Sequence, residues 1–481
     1  MSTLRRAARG TLLASFAGPA LPGWLVHQVE AGLGGVCLYG SNRHADIAAV
    51  AAALHAARPE VVVALDEEGG DVTRIEAATG SSLPGNAALG AVDDQSLTSA
   101  VAAALGGRLR SLGVDLDLAP CADVNRDPAN PVIGVRSFGA DPDLVARHTA
   151  AFVTGLQSAG VAACAKHFPG HGAARVDSHL ALPTVEVGEA DLAPFRSAIA
   201  AGVAAVMPGH LRVPAFGEDP ASVSPTILGM LLRRELGFGG VIVTDALDMG
   251  AIGGPAGIPA AVVRALSAGA DLCCLGPDNT ESLLDACLDA VEAAVAAGTL
   301  AEARVREAGE RTAALTAARP PAAGQPGDLA ALGAEAARRA LRVDGEIPPD
   351  LARAHVVELD RPANIAAGSV PWGAAAPVIR CDPAATTTRV AEGDDRAVAS
   401  ALLAAQGRPL IVVTRDAPRR PAQAAALVAL LTARPDAVLV DMGWPAGEAL
   451  PPAAARITTY GASPACGEAA ATVLLGRISC G

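Results

Sequence analysis

Short, unbroken apolar runs, each closed by a polar residue or a glycine-rich turn, recur along the first 276 residues of the chain. They are TLLASF (11–16), GGVCLYG (34–40), VVVALD (61–66), VDLDLAP (114–120), VAACAKH (161–167), VAAVMPGH (203–210), GVIVTDA (240–246) and ADLCCLG (270–276). Ala-, Leu- and Arg-rich stretches of helical character separate them. A strand with one solvated face alternates apolar and polar residues, whereas a parallel strand covered by helices on both faces reads as a continuous apolar run. Eight such runs alternating with helical segments predict a (β/α)8 TIM barrel. A doubly wound open sheet is the rival, but it gathers its ligand at one switch point. Here polar residues stand at the C-terminal ends of many runs: Asp66, Asp123, Lys166 with His167, His210 and Asp245. In a barrel those ends converge on one mouth, where such folds carry their chemistry.

Helical segments continue to about residue 317, giving a barrel domain over 1–317, and ARPPAAGQPG (318–327) has the composition of a linker. Residues 328–481 begin with a helix candidate, LAALGAEAARRALRV, and then offer AHVVELD (354–360), RPLIVVTRD (408–416) and DAVLVDMG (436–443). This pattern predicts a smaller α/β/α sandwich. It lacks a comparable His/Asp/Lys cluster and is read as architecture, an interface or a lid.

Composition narrows the partners. The net charge of −13 is spread thinly, without the basic stripe that nucleic acid requires. No segment offers ~20 consecutive apolar residues, so a membrane span is not expected. Of the nine cysteines, Cys37, Cys121, Cys164, Cys273 and Cys274 sit inside apolar runs and read as buried thiols of a reducing compartment. The N-terminus, with Arg5, Arg6 and Arg9 ahead of a short apolar stretch, could pass for a secretory signal. Gly18 and Pro19 break that stretch, and TLLASFAG serves as a first strand, so a cytoplasmic protein is expected, with secretion as the alternative.

The candidate chemistry centres on KHFPGHGAARVDSHL (166–180), which holds three of the nine histidines. Asp177, two residues before His179, can turn back to accept the imidazole N–H, fixing the tautomer and leaving the other nitrogen for proton transfer. The same spacing also suits a loop aspartate bonding its own backbone. Lys166 at a strand end needs an anionic or hydroxylic partner, and Gly170 with Gly172 makes the following loop tightly turned. Asp245 either caps the next helix or points into the mouth as a nucleophile. Asp66 and Arg74, in VVVALDEEGGDVTRI, pair a carboxylate with a guanidinium as a sugar-gripping site would, or serve as a helix cap and a surface charge. Arg136 lies between apolar residues in NPVIGVRSFGADP, where a free surface charge is not expected.

Taken in order, GGVCLYGSNR, ALDEEGGDVTRI, LGVDLDLAPCADVNRDPANPVIGVRSFGADP, KHFPGHGAARVDSHL, VMPGHLRVP and LGFGGVIVTDALDM resemble family 3 glycoside hydrolases, specifically their bacterial exo-β-N-acetylglucosaminidases. EAARRALRV, VVTRDAP and TYGASP resemble the second α/β/α domain that some of these enzymes carry. The resemblance implies a retaining exo-glycosidase without metal or cofactor, acting on a small oligosaccharide or muropeptide in peptidoglycan turnover, as a monomer or homodimer. It makes Asp245 the nucleophile and His179, held by Asp177, the acid/base. Asp66, Arg74, Arg136, Lys166 and His167 become ligands of the terminal sugar, with His210 nearby. Two positions depart from the family pattern: Glu67 replaces a common Gln, and Asp71 a common Arg, both adding negative charge near Asp66.

Other functions fit parts of the pattern. A β-glucosidase or β-xylosidase of the same family would take its acid/base from elsewhere. A phosphorylase would exploit an imidazole that does not repel phosphate. A metal-dependent barrel hydrolase would use His167, His171, His179, His210 and Asp245 as ligands, although Lys166 sits directly beside one of them. A sugar-binding protein without catalysis would have no use for the Asp177–His179 pair.

Overall fold

A computed structural model describes residues 2–317, 327–360, 368–445 and 450–476. All eight apolar runs form strands: β1 (Leu12–Ala14), β2 (Gly35–Leu38), β3 (Val62–Leu65), β4 (Leu116–Asp117), β5 (Ala162–Phe168), β6 (Ala205–Pro208), β7 (Val241–Ile242) and β8 (Cys273–Cys274). They pair in parallel in the order β7-β6-β5-β4-β3-β2-β1-β8. A parallel bridge between Val243 and Leu272 joins the two ends, so the sheet closes into the expected barrel.

The apolar runs are continuous because inward residues fill the barrel while outward residues meet the helices. Inside, Leu13, Cys37, Val62, Ala64, Leu116, Cys164, Met207, Val243 and Cys274 form one buried cluster. Each fully buried Val or Leu contributes about 1.5–3 kcal/mol, and the interleaved Cys and Ala fit the narrow interior. Cys37, Cys121, Cys164, Cys273 and Cys274 are buried free thiols as expected, while Cys381 is disulfide-bonded.

The chain divides into two compact units. One comprises residues 1–68, 95–133 and 140–328; the other takes in 69–94, 134–139 and 329–481. Residues 318–326 of the expected linker lie outside the described residues.

The second unit is built on β9 (Arg342–Gly345), β10 (His355–Leu359), β11 (Thr386–Val390), β12 (Leu410–Thr414), β13 (Val438–Asp441) and β14 (Ala455–Thr458). Their order is β11-β10-β12-β13-β14-β9, parallel except for β9 at the edge. Successive residues face opposite sides: Val356, Ile411, Val413, Val438 and Val440 pack into one cluster, and Val357, Leu359, Val412 and Leu439 into another. Helices therefore cover both faces, as the sandwich pattern predicts. Among the described residues, no helix is long and apolar enough to cross a membrane.

Candidate active site

The barrel strands deliver Asp66, Lys166, His167, His210 and Asp245 to their C-terminal ends. In a regular strand Lys166 and His167 would point to opposite faces, but the register of β5 against β6 shifts between Lys166 and Phe168. Such an irregularity re-aims side chains. The Lys166 ammonium lies 2.6 Å from Asp66 Oδ1 and 2.8 Å from Glu68 Oε1, so a buried cation is matched by two carboxylates. His167 Nδ1 instead lies 2.7 Å from Asp123 Oδ2.

Asp123, just beyond β4, organises the next layer. Fully buried, it accepts hydrogen bonds from the His171 N–H at 2.6 Å and from the Cys121 thiol at 3.2 Å, besides those from His167. Burial alone would raise its carboxyl, but His167 and His171 outweigh burial and hold it at about 2. A permanently ionised Asp123 keeps the Nδ1 proton on His167 and leaves Nε2 facing away from it.

His171, to which the family resemblance gives no role, links this layer to the loop carrying Asp177 and His179. Its ring is buried, its Nε2 lies 3.1 Å from Ser178 Oγ, and burial together with nearby His167 lowers it from 6.5 to about 4. The unfolded chain thus takes up this proton below pH 6.5, but the folded protein only near pH 4. Stability from this group is complete above about pH 6.5 and is lost as the pH falls to about 4, by about 3 kcal/mol. Thermal melts between pH 7 and 4 are expected to show a shallower fall in Tm for His171→Gln than for the unaltered protein. Identical slopes would remove His171 as the cause.

On that loop, Asp177 Oδ1 accepts both the His179 N–H at 2.9 Å and His179 Nδ1 at 2.7 Å. The Asp177 carboxyl lies below its usual range, because these His179 hydrogen bonds outweigh the upward effect of burial. With Nδ1 committed to Asp177, Nε2 is the nitrogen left for proton transfer.

Asp245 follows β7 and accepts the Ala246 N–H at 2.8 Å. Burial pushes its carboxyl up, but the fields of His210, His167 and His179 and the Ala246 N–H hold it below the ordinary value. His210 has Nδ1 2.6 Å from Ser222 Oγ and Nε2 2.9 Å from the Ala246 carbonyl. Both ring nitrogens are thereby engaged within the protein, and His210 braces the segment that carries Asp245.

The five residues considered as metal ligands have other partners: His210 has Ser222 and Ala246, His171 has Ser178, His179 has Asp177, His167 has Asp123, and Asp245 accepts the Ala246 N–H. Among the described residues, Cys121, Asp123 and His167 have ligand atoms close enough for a metal, and hydrogen bonds to Asp123 account for that clustering.

Of the two departures, Glu67 is buried, with its N–H on Asp117 Oδ1 at 2.9 Å. Burial raises the Asp117 carboxyl well above the usual carboxylate range. Asp71 belongs to the second unit and pairs there with the Arg415 guanidinium, both nearly buried. The feared excess of negative charge at Asp71 is therefore cancelled by a residue more than 300 positions away. Arg74 and Arg136 also fall in the second unit, where Arg136 is buried and its carbonyl accepts from Asn86 Nδ2 at 2.7 Å.

A barrel mouth that holds an ionised strand-end carboxylate among histidines, with an Asp–His pair on an adjoining loop, is the equipment of an acid/base group-transfer enzyme. Residues 27–315 match the glycosyl hydrolase family 3 N-terminal domain. A β-hexosaminidase A of Pseudoalteromonas piscicida is 38% identical over 269 residues, 50% of this chain and 45% of that one. A β-hexosaminidase of Neisseria meningitidis serogroup C is 40% identical over 273 residues, 53% of this chain and 75% of that one. The chain thus spans less than half of the first relative. A glycoside hydrolase family 3 β-N-acetylglucosaminidase from Paenibacillus sp. str. FPU-7 has a similar structure, with a TM-score of 0.88, 32% identity, and coverage of 100% of this chain and 98% of that chain. The chain belongs to glycoside hydrolase family 3.

Proposed function

We propose that the protein is a retaining exo-glycosidase that releases terminal β-linked N-acetylglucosamine. The carrying observation is the Asp177–His179 pair, with both bonds on one carboxylate oxygen. It supplies an oriented imidazole as acid/base, while His210, His167 and His179 keep Asp245 ionised as the nucleophile. In the retaining reaction, Asp245 attacks the anomeric carbon as the His179 imidazolium protonates the leaving oxygen; the neutral imidazole then deprotonates the water that releases the sugar. Asp66 would accept from sugar hydroxyls with Lys166 and His167 as donors beside it. The sugar-binding roles of Arg74 and Arg136 rest on their motifs, and His210 acts through the Ala246 segment. The β-hexosaminidase names of the relatives support the choice of sugar.

The finer readings are cell-wall or chitin-type fragments as natural substrate and a monomer or homodimer as the working form. Buried free thiols support a cytoplasmic site of action, and the Cys381 disulfide supports the secreted alternative. A panel of 4-nitrophenyl β-glycosides tests the sugar. The N-acetylglucosaminide is expected to exceed the glucoside and the xyloside in kcat/KM by about 100-fold or more, since a site that bonds the acetamido group is left with unpaired polar groups by sugars lacking it. Faster turnover of the glucoside would refute the assignment. Sugar 1-phosphate formed when phosphate is supplied would favour phosphorolysis.

A further inference from the structure

We propose that Gly250 is a positioning residue for leaving-group protonation, the seat on which the turn carrying Asp177 and His179 docks. This rests on reading His179 as the acid/base. Residues 177–181 form a closed turn, with the N–H groups of Leu180 and Ala181 donating to the Asp177 carbonyl at 3.0 and 3.1 Å. The catalytic pair therefore moves as one piece with the turn. Its apolar side chains do not anchor it, since Leu180 is 71% exposed and nearby Val176 45%. Two polar contacts do: Ser178 Oγ to His171 Nε2 at 3.1 Å, and the Gly250 N–H to the His179 carbonyl at 3.3 Å.

At Gly250 the fit depends on the missing side chain. A Cβ there would stand 2.9 Å from the Leu180 carbonyl oxygen and 3.2 Å from that of His179. Both obstacles are backbone atoms of the turn, which cannot swing aside as a side-chain tip could, so a methyl group would lift the turn as a whole. Gly250 lies outside the left-handed region, so alanine there tests space rather than backbone strain. The seat also lies five residues beyond Asp245. Docking on it ties the acid/base to the segment that carries the nucleophile, which a barrel loop anchored only at its own ends would not do.

A lifted turn withdraws the proton donor and leaves Asp245 in place, so the loss should depend on how much the leaving group needs a proton. For Gly250→Ala, kcat/KM on phenyl N-acetyl-β-glucosaminide is expected to fall about 10- to 100-fold, part of the general-acid contribution. On the 2,4-dinitrophenyl glycoside, whose phenolate leaves unaided, the fall should stay under about 3-fold. Equal losses on the two substrates, or none on the phenyl glycoside, overturn the seat. His179→Ala is measured in parallel: equal losses there remove the acid/base reading itself, whereas a leaving-group-dependent loss at His179 with none at Gly250 removes only the seat. If Gly250→Ala does not fold, hydrogen exchange of the unaltered protein decides. The amides of Gly250, Leu180 and Ala181 are expected to open at one rate, and clearly separate rates overturn the proposal.

Discussion

Asp245→Ala is expected to lower kcat by about 10⁴-fold or more, because no other group replaces the covalent bond to the anomeric carbon. A carboxylate that attacks carbon must be unprotonated at working pH. Burial opposes this and three surrounding histidines enforce it. The variant should fold, with a small fall in melting temperature at neutral pH, since the histidines that outweigh burial make the ionised carboxylate a net contributor to the folded state. A fluorinated N-acetylglucosaminyl inactivator, trapped on the unaltered enzyme and digested for mass spectrometry, should add one sugar to the peptide bearing Asp245. An unlabelled Asp245 peptide together with an oxazoline product would assign the attack to the substrate's own acetamido group, with Asp245 in a supporting role.

The second large effect is at His179. Without the imidazole, kcat/KM on glycosides with poor leaving groups should fall by about 10²–10⁴-fold, and on a dinitrophenyl glycoside far less. On that activated substrate kcat should still fall, because breakdown of the glycosyl-enzyme loses its base, and azide should restore it by attacking without base assistance. Asp177→Asn should follow His179→Ala in direction. It replaces the charged acceptor of both His179 hydrogen bonds with a neutral amide, which weakens the hold on the ring and no longer favours its imidazolium form. An Asp177→Asn enzyme as fast as the unaltered one would reduce the pair to an ordinary loop turn.

A buried layer of Asp123 and His171 links the end of β5 to the loop of Asp177 and His179. Asp123 holds the ring of His167 and the backbone of His171, and His171 reaches Ser178 on the loop. The loop that carries Asp177 and His179 is therefore positioned by groups hydrogen-bonded to the end of β5. Acid weakens the layer through His171 before it protonates Asp123, since the first is held at about 4 and the second at about 2.

The barrel was legible in the chain because helices cover a parallel strand on both faces, and the resulting continuous apolar run is a local property. Each of the eight runs holds a strand. The strand-end positions of Asp66, Lys166, His167, His210 and Asp245 followed from those runs. In the second unit, β10, β12 and β13 were equally visible, being buried along their whole length. β9, β11 and β14 were not: all four residues of β9 are exposed, β11 is an edge strand of Thr and Arg with one buried residue, and the four-residue β14 is broken by Arg456. An edge strand with little burial carries no apolar signature.

Sequence by itself thus determined the eight strands of the barrel, three strands of the second sheet, and the candidates at the mouth, including the Asp177–His179 pair, whose bond spans two residues. Tertiary structure alone decided which groups share a partner. It placed Asp123 between His167 and His171, set His171 against Ser178, turned both nitrogens of His210 inward, matched Asp71 with Arg415, and brought Gly250 beneath the His179 carbonyl. The physical reason is range. Hydrophobic periodicity and short hydrogen-bonded turns are set by near neighbours, whereas a hydrogen bond or ion pair between distant segments depends on how strands and loops are brought together. A glycine's lack of a side chain becomes informative only once the backbone it would strike is in place.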